Sequence, residues 1–591
     1  MEKSPKKKIL FYPNKSALNE KSFYVGNWMK FLMSDNNKNN SIFVDYENYE
    51  NFEEQSKIIL GVRNLSEEIL MKLSVTLNKI HGIEWSLRSW KFLLGPWLEI
   101  FVAVICDRIK MSKALLKKNN FINGFDLEKG KNVSLISQNY REFTSLVSDM
   151  DWNEKLLLRL LYIISKNNLS NETNLLLSKK NSQKKKKYHF EELGYRTKNF
   201  IFKIVERCLC SKNEYLFYKP NIGSKIQYLK ISKLLNQIPF FYSSNFLHNK
   251  TLISNVDLTM RKKIEFNFKC ENFEEKIVIA LIQECLPTIY LEGFKKMNSL
   301  ADSSYLPNKI RVIISKSVLR DNIYKFWVAK KINEGAKLVL VQHGGGYGYK
   351  KLFQNEDYEI AVSDKYFSWG WNGKKKVVPI GNISLSKRGD YHTSNNKSLL
   401  IITGLNRIFK IDNNLFSVND LIGLKNNIDF LTESLNSNLF DEIKVREHPT
   451  GNRKFSLKFA DFVKKSSKKL NYLDPKKNLA EQIDNSSIVI TTYDSSEFLN
   501  MITMNKPCFQ IFNKKFISEE KLSKFNALYE CGIIHENGRT LAKKINELDN
   551  GIYNWWNSNG IKKKREDFFK EFNNTEIDYN HFVNELKLLK I

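Results

Sequence analysis

The chain is poor in the residues that staple or interrupt a fold. Seven cysteines in 591 residues, an odd number, make no disulfide framework. Only Cys208 and Cys210 lie close together, as C-x-C, and no second pair completes a zinc-ribbon spacing. Reduced, mostly buried thiols are the expectation. With 25 Gly and 11 Pro, collagen-like and low-complexity architectures are excluded. Long apolar runs are missing too. After the basic stretch Met1 to Lys8, only Ile9 to Tyr12 are apolar before Pro13, too short for a signal-peptide core. The richest stretch, Trp90 to Cys106, is interrupted by Lys91, Gly95-Pro96 and Glu99, whereas spanning a membrane takes about 20 residues with few charges. A buried helix beginning near Pro96 is expected instead, in a cytoplasmic protein, in solution or at the inner face of the membrane. No G-x-x-x-x-G-K-[ST], H-E-x-x-H or G-x-S-x-G sequence occurs.

What is present reads as ordinary globular protein. Hydrophobic residues make up 42% and charged residues 27%, which excludes disorder as the main state. At about 150 residues per domain the length predicts two to four domains. The net charge of +30 comes mostly from lysine dispersed beside Asn, Ile and Phe, a compositional bias rather than a patch. One dense run exists, Lys179-Lys180-Asn181-Ser182-Gln183-Lys184-Lys185-Lys186-Lys187. It is a solvated loop on one reading and a peripheral contact with anionic membrane on the other, at ~1 kcal/mol per basic residue. No helix-turn-helix, zinc-finger or RNA-recognition signature accompanies it, so no specific nucleic-acid partner is expected.

Hydropathy changes grammar along the chain. To about Lys250 the pattern is mostly helical, with Ile69, Leu70, Leu73, Leu77 and Ile80 on one face and a similar run from Trp152 to Ile164. From about Asn308, β-branched runs at Arg311 to Ser315 and Lys337 to Val341 flank a helical stretch at Asn322 to Gly335, a right-handed βαβ unit. After the polar stretch Ser384 to Lys397, strands at Leu399 to Thr403, Glu442 to Arg446 and Ser487 to Thr491 alternate with helices at Asn419 to Asn436 and from Ser496. The expected fold class is α/β: two Rossmann-like parallel-sheet domains facing a cleft, with a helix-rich amino-terminal part. Residues 1–385 would form an acceptor-side domain (helix-rich 1–250, α/β 251–385) and 386–591 a nucleotide-binding domain.

Three constellations can carry chemistry. Gln342-His343-Gly344-Gly345-Gly346-Tyr347-Gly348 follows a strand directly, so its glycines permit close backbone approach and place His343 at a strand's carboxyl end. A histidine there can take a proton from an acceptor hydroxyl. Lys444-Val445-Arg446-Glu447-His448-Pro449 puts two cationic groups, Arg446 and His448, just past a strand that Pro449 cannot continue. Thr491-Thr492-Tyr493-Asp494-Ser495-Ser496-Glu497 offers hydroxyls and free N–H groups at a helix start, a phosphate site; Asp494 with Glu497 also fits a capping box. Asp149-Met150-Asp151 has D-x-D metal spacing, but it precedes a helical pattern and reads as a cap. No metal or other cofactor is expected.

At these residues the chain resembles bacterial transferases encoded with surface-polysaccharide genes. The likeness lies in Trp90 to Arg108, Asp151-Trp152-Asn153, Leu286-Pro287 to Glu292, Gly335 to Gly348 and Ser363 to Trp371. The Q-H-G-G-G-Y-G run is the most specific part. More distantly, the His-Pro and Ser-Ser elements are similar to those of two-domain GT-B enzymes that use cytidine nucleotides: sialyltransferases, Kdo transferases and CDP-glycerol glycerophosphotransferases. The resemblance implies a metal-independent glycosyltransferase with a nucleotide-sugar donor, an acidic sugar on CMP, and a glycan or lipid-linked acceptor. His448, Pro449, Ser495 and Ser496 would hold the donor phosphate, with Arg446 and Thr492 beside them. His343 would serve the acceptor or leaving group. Asp321, Glu284, Glu292 and Asp364 are candidate catalytic carboxylates. Two other readings stand beside this one: a polymer phosphotransferase moving glycerol- or ribitol-phosphate, and a non-catalytic polybasic scaffold.

Overall fold

The computed structural model describes residues 9–10, 22–25, 41–44, 52–118, 130, 133–166, 200–219, 224–240, 254–265, 267–316, 321–383, 397–404, 410–415, 418–449 and 470–590. Residues 1–8 and 179–187, with their basic runs, lie outside the described residues, as do 11–15 and 384–396.

Three parallel sheets organise the chain. Strands β1 (Ile9–Leu10), β2 (Ser22–Val25) and β3 (Ser41–Val44) pair in that order. Strands β4 (Tyr215–Tyr218), β5 (Val312–Ser315), β6 (Lys337–Val341), β7 (Lys365–Ser368) and β8 (Val377–Pro379) form a five-stranded sheet in chain order. Strands β9 (Ser398–Ile402), β10 (Glu442–Arg446), β11 (Asn471–Leu473), β12 (Ile488–Thr491), β13 (Cys508–Ile511) and β14 (Ile534–His535) form a six-stranded sheet ordered β11-β10-β9-β12-β13-β14. The order reverses between β9 and β12, so their carboxyl ends open a crevice at a topological switch point.

Side chains alternate across each pleat and bury both faces. In the five-stranded sheet, Ile313, Leu338, Leu340 and Tyr366 point into one cluster, and Phe217, Ile314, Val339 and Phe367 into another. The second face is covered by the chain's own end. Phe582, Val583 and Leu586 of the helix Tyr579–Lys587 pack there, Phe582 at 5.2 Å from the Phe367 ring, and Lys365 Nζ pairs with Glu585 at 2.6 Å.

The described residues before 250 are mostly helical, with four short strands among them that the hydropathy pattern does not reveal. Strands β1 to β3 and β4 fall before residue 250, and β4 joins the sheet assigned to 251–385. Tyr215 to Tyr218 is a four-residue apolar run, and such a run carries no period that separates strand from buried helix.

The apolar stretch around Pro96 is one 30-residue helix, Leu87–Leu116, that starts at Ser86 rather than at the proline. Among the described residues no helix is long and apolar enough to cross a membrane. A proline inside a helix removes the bond to the carbonyl four residues earlier. That carbonyl, of Phe92, accepts from Tyr358 Oη at 2.8 Å, and the next, of Leu93, accepts from Lys325 Nζ at 2.9 Å. The donor that Pro96 lacks is therefore supplied by Tyr358 from a neighbouring helix, and Lys325 from a second helix adds a bond at the next carbonyl. Lys325 is 1% exposed, and burial pulls its pKa down to about 7.

Tyr358→Phe should leave the Phe92 carbonyl unpaired and cost about 1–3 kcal/mol in urea unfolding. Lys325 generates a pH signature. Below about 7 both folded and unfolded states hold its proton. Between there and the unfolded value of about 10.4, only the unfolded chain does, so stability rises with pH across that window. Melting curves of Lys325→Met should lack that component of the rise.

Candidate functional site

The Gly-rich loop after β6 is held by its first residue. Gln342 is buried; its Nε2 donates to the Gly344 carbonyl at 2.9 Å, and its Oε1 accepts from Trp369 N at 2.9 Å and Trp371 Nε1 at 2.8 Å. Gln342 is thus a positioning residue, joining the Q-H-G-G-G-Y-G run to the Ser363 to Trp371 segment. Gly348 has φ +84°, and a Cβ there would lie 2.3 Å from the Trp371 ring. Its N–H donates to Glu356 Oε2 at 2.6 Å.

This framework presents His343 at the cleft. Its side chain keeps 31% exposure, and Nδ1 stands 3.8 Å from Glu359 Oε1, a carboxylate 1% exposed on the helix Gln354–Val362. Tyr347 Oη donates to the same Glu359 oxygen at 3.3 Å. Burial first, then the charge of Lys316, lowers the His343 pKa to about 4. The imidazole is therefore neutral at physiological pH and able to accept a proton. Lys316 follows β5 as His343 follows β6, and Ser315 pairs with Leu340 across those strands. Lys219 stands beyond β4 with φ 46°, and its pKa is lowered by burial and, in smaller part, by the charge of Lys316, so three basic groups share one sheet edge.

The loop reaches directly into the other sheet's domain. The Gly345 N–H donates to Ser496 Oγ at 2.8 Å, at the start of the helix Ser496–Thr503. A Cβ on Gly345 would lie 2.9 Å from backbone atoms of both Ser495 and Ser496. Lys350 Nζ pairs with Asp494 at 2.7 Å, Lys351 N donates to the Phe516 carbonyl at 2.9 Å, and Ser518 N to the Tyr349 carbonyl at 2.7 Å. The structure thus brings Gly344, Gly345 and Gly346 against Asp494, Ser495 and Ser496. The capping expectation needs correction: Ser495, not Asp494, is the cap, accepting from Phe498 N at 3.2 Å, and Asp494 is released to pair with Lys350. Each serine oxygen accepts an internal bond and retains its own proton to donate.

The remaining donor-side residues divide. Thr492 donates its N–H and hydroxyl to the Ile402 carbonyl at 3.1 and 3.3 Å, so it ties β12 to β9. Arg446 is corrected to a clamp: it is 5% exposed and its NH2 group donates to the Pro475 and Lys477 carbonyls at 2.9 and 3.2 Å. His448 and Pro449 stand exposed past the carboxyl end of β10. Strands β10 and β12 flank β9, so two strand spacings, roughly 10 Å, separate the His448 edge from the Ser495 edge. Three buried polar atoms at this edge, Thr403 Oγ1, Thr491 Oγ1 and Arg446 Nε, have no hydrogen-bond partner among the described residues.

The carboxylates nominated from sequence are committed elsewhere. Glu284 forms a buried bidentate pair with Arg159, at 2.5 and 3.2 Å. Asp321 caps the helix Asn322–Asn333 through Tyr324 N at 3.3 Å and accepts from Tyr218 Oη. Glu292 pairs with Arg261 at 2.7 Å and Asp364 with Arg88 at 2.5 Å. Glu284 and Asp321 are thus buried and engaged in contacts within the fold, which leaves their nomination as catalytic carboxylates without support. Asp149 accepts from Trp152 N at 3.0 Å, the helix cap expected, and Asp151 is exposed. Sequence reasoning missed Glu359 and Lys316. Neither lies in a recognisable motif, and only the register of β5 on β6 and the packing of the Gln354–Val362 helix bring them to His343.

Two parallel sheets whose carboxyl-end loops interlock around a cleft, with a helix-rich segment before them, define an α/β protein of the GT-B type. The chain belongs to the LIC12162 family of transferases, whose family model matches residues 12–586. No curated protein matches it. Among solved structures it is similar to the wall teichoic acid polymerase TagF, with 15% identity over 68% of this chain and 98% of that one, at a TM-score of 0.31. It is also similar to MnaA of S. aureus with UDP, with 13% identity over 63% and 95%, at 0.33. MurG of Acinetobacter baumannii gives 11% identity over 63% and 99%, at 0.29. Likenesses this distant carry no argument of their own.

Gly345→Ala should push the loop off the Ser496 helix, because backbone cannot yield to a methyl at 2.9 Å; a loss of about 1–3 kcal/mol is expected in thermal unfolding. Gly344→Ala, whose nearest neighbour is Ser496 Oγ at 3.7 Å, should be tolerated.

Proposed function

We propose that this chain is a glycosyltransferase of surface-glycan synthesis, moving a sugar from a nucleotide-sugar donor to a glycan or lipid-linked acceptor. The observation that carries the reading is the Gly345–Ser496 contact, which sets a neutral histidine beside a helix amino terminus at one cleft. The N–H groups of the Ser496 helix and the two serine protons are suited to a donor phosphate, with His448 on the far side of β9. The unpartnered Thr403, Thr491 and Arg446 atoms border the same edge.

In the reaction, the acceptor oxygen bonds to the anomeric carbon as the bond from that carbon to the donor phosphate oxygen breaks, releasing the nucleotide. His343 takes the acceptor proton. Its Nδ1 faces Glu359, so Nε2 is the atom left for substrate, and the buried carboxylate steadies the imidazolium that forms. CMP carrying an acidic sugar is the donor favoured by the His-Pro and Ser-Ser elements.

A thermal-shift screen of CMP, CDP, UDP and GDP, with and without magnesium, tests the reading. A nucleotide at about 100 times its Kd stabilises by ~2.7 kcal/mol. A CMP response that His448→Ala abolishes supports the donor assignment; a UDP or GDP response keeps the cleft and replaces the donor; silence to all four removes the reading. With a responding donor sugar, His343→Ala should lower kcat by about 10²–10⁴ with little change in KM. Because the free-enzyme His343 pKa is lowered, kcat/KM should hold as pH falls through 6.5 and drop only toward about 4.

A further inference from the structure

The carboxyl ends of β4 and β5 carry two cations that donor binding leaves unused. In-register pairing sets Tyr218 beside Ser315 and Ser315 beside Leu340, so Lys219, Lys316 and the His343 loop leave the sheet side by side. In that order Lys316 lies one strand spacing from β6 and Lys219 two, about 5 and 10 Å. Open parallel sheets bind their ligands at this end. Both lysines are half-buried, and Lys219 holds a left-handed backbone that a non-glycine residue seldom adopts. A partly buried ammonium costs free energy unless an opposite charge meets it.

Neither cation is met from within the fold. Among the described residues no carboxylate lies within salt-bridge distance of Lys219 or Lys316. Asp321 acts on Lys219 from farther off; it is 5% exposed and already accepts from Tyr218 Oη and Tyr324 N. Glu359 faces His343 Nδ1 instead. The charge of Lys316 acts on both Lys219 and His343, as its place between them on the sheet requires. Proton uptake by His343 sharpens the imbalance, because a third positive charge then joins the edge. A substrate oxyanion beside the lysines would offset it. The lysines are fixed to the same sheet as the base that serves the acceptor, whereas the Ser495 and Ser496 hydroxyls belong to the other sheet's domain. That division assigns them to the acceptor.

We propose that Lys316 and Lys219 bind an oxyanion on the acceptor, a carboxylate or a phosphate on the sugar whose hydroxyl His343 deprotonates. This role rests on the transferase reading above, and it makes the acceptor glycan acidic.

Ligand-detected NMR titration of the full chain with methyl glucuronide, glucose 6-phosphate and methyl glucoside tests it. At least one anionic sugar should bind about tenfold tighter than methyl glucoside, and which one does so separates carboxylate from phosphate. Lys316→Gln should weaken that preference and Lys316→Gln with Lys219→Gln should erase it, with melting and nucleotide response unchanged; Lys316→Arg should keep it. Equal binding of the three sugars, no binding, or a preference that survives the double variant overturns the proposal, and a nucleotide response alongside any of these leaves the transferase reading standing. A nucleotide response lost in the double variant also overturns it, by moving the lysines to the donor. A lysine-dependent preference in a chain that no nucleotide stabilises removes the transferase reading, and the acceptor role with it.

Discussion

The site depends on one backbone amide. Where the Gly345 N–H meets Ser496 Oγ, two parallel sheets that share no strand are joined at their carboxyl ends, and a side chain of any size on Gly345 would separate them. The joint is reinforced by a charge pair, Lys350 with Asp494, and by backbone bonds from residues 349 and 351 to residues 516 and 518. A single neutral hydrogen bond contributes only about 0.5–1.5 kcal/mol net. What makes this one decisive is geometric: it sets the separation between the imidazole and the helix terminus, which are fixed to different sheets.

Behind the joint lies a second layer of constraint. Gln342 uses both amide atoms and its own backbone carbonyl to hold Trp369, Trp371 and Gly344, so the loop has no freedom to swing. Backbone at Trp369 and Asn382 is held in turn by residue 574, at 2.8 and 2.6 Å. Precision at the cleft thus rests on residues packed behind the loop.

Much of this was legible in the sequence, and the residues show why the rest was not. Strands β5, β6, β9, β10 and β12 stood out because each is a short β-branched run beside a helix-period segment, and buried parallel strands have that signature. The Gly-rich loop was visible because four glycines in five positions are costly unless the backbone needs them. The carboxylates were misjudged because a motif shows residue type but not what opposes it: Glu284 meets Arg159 across 125 positions of sequence. Glu359 escaped notice for the same reason in reverse, since an acidic residue on a helix looks solvated until packing buries it. Pro96 misled because its carbonyl partners, Tyr358 and Lys325, are more than two hundred residues away.

The return of the last helix to the first large sheet has a consequence for how the molecule is made. The face of β4 to β7 bearing Phe217, Val339 and Phe367 is sealed by Phe582, Val583 and Leu586. Chains fold as they leave the ribosome, amino-terminal parts first. Here the five-stranded sheet must wait, one apolar face open, while the whole six-stranded unit is synthesised. That face of the amino-terminal half is therefore finished only when the Tyr579–Lys587 helix has been made.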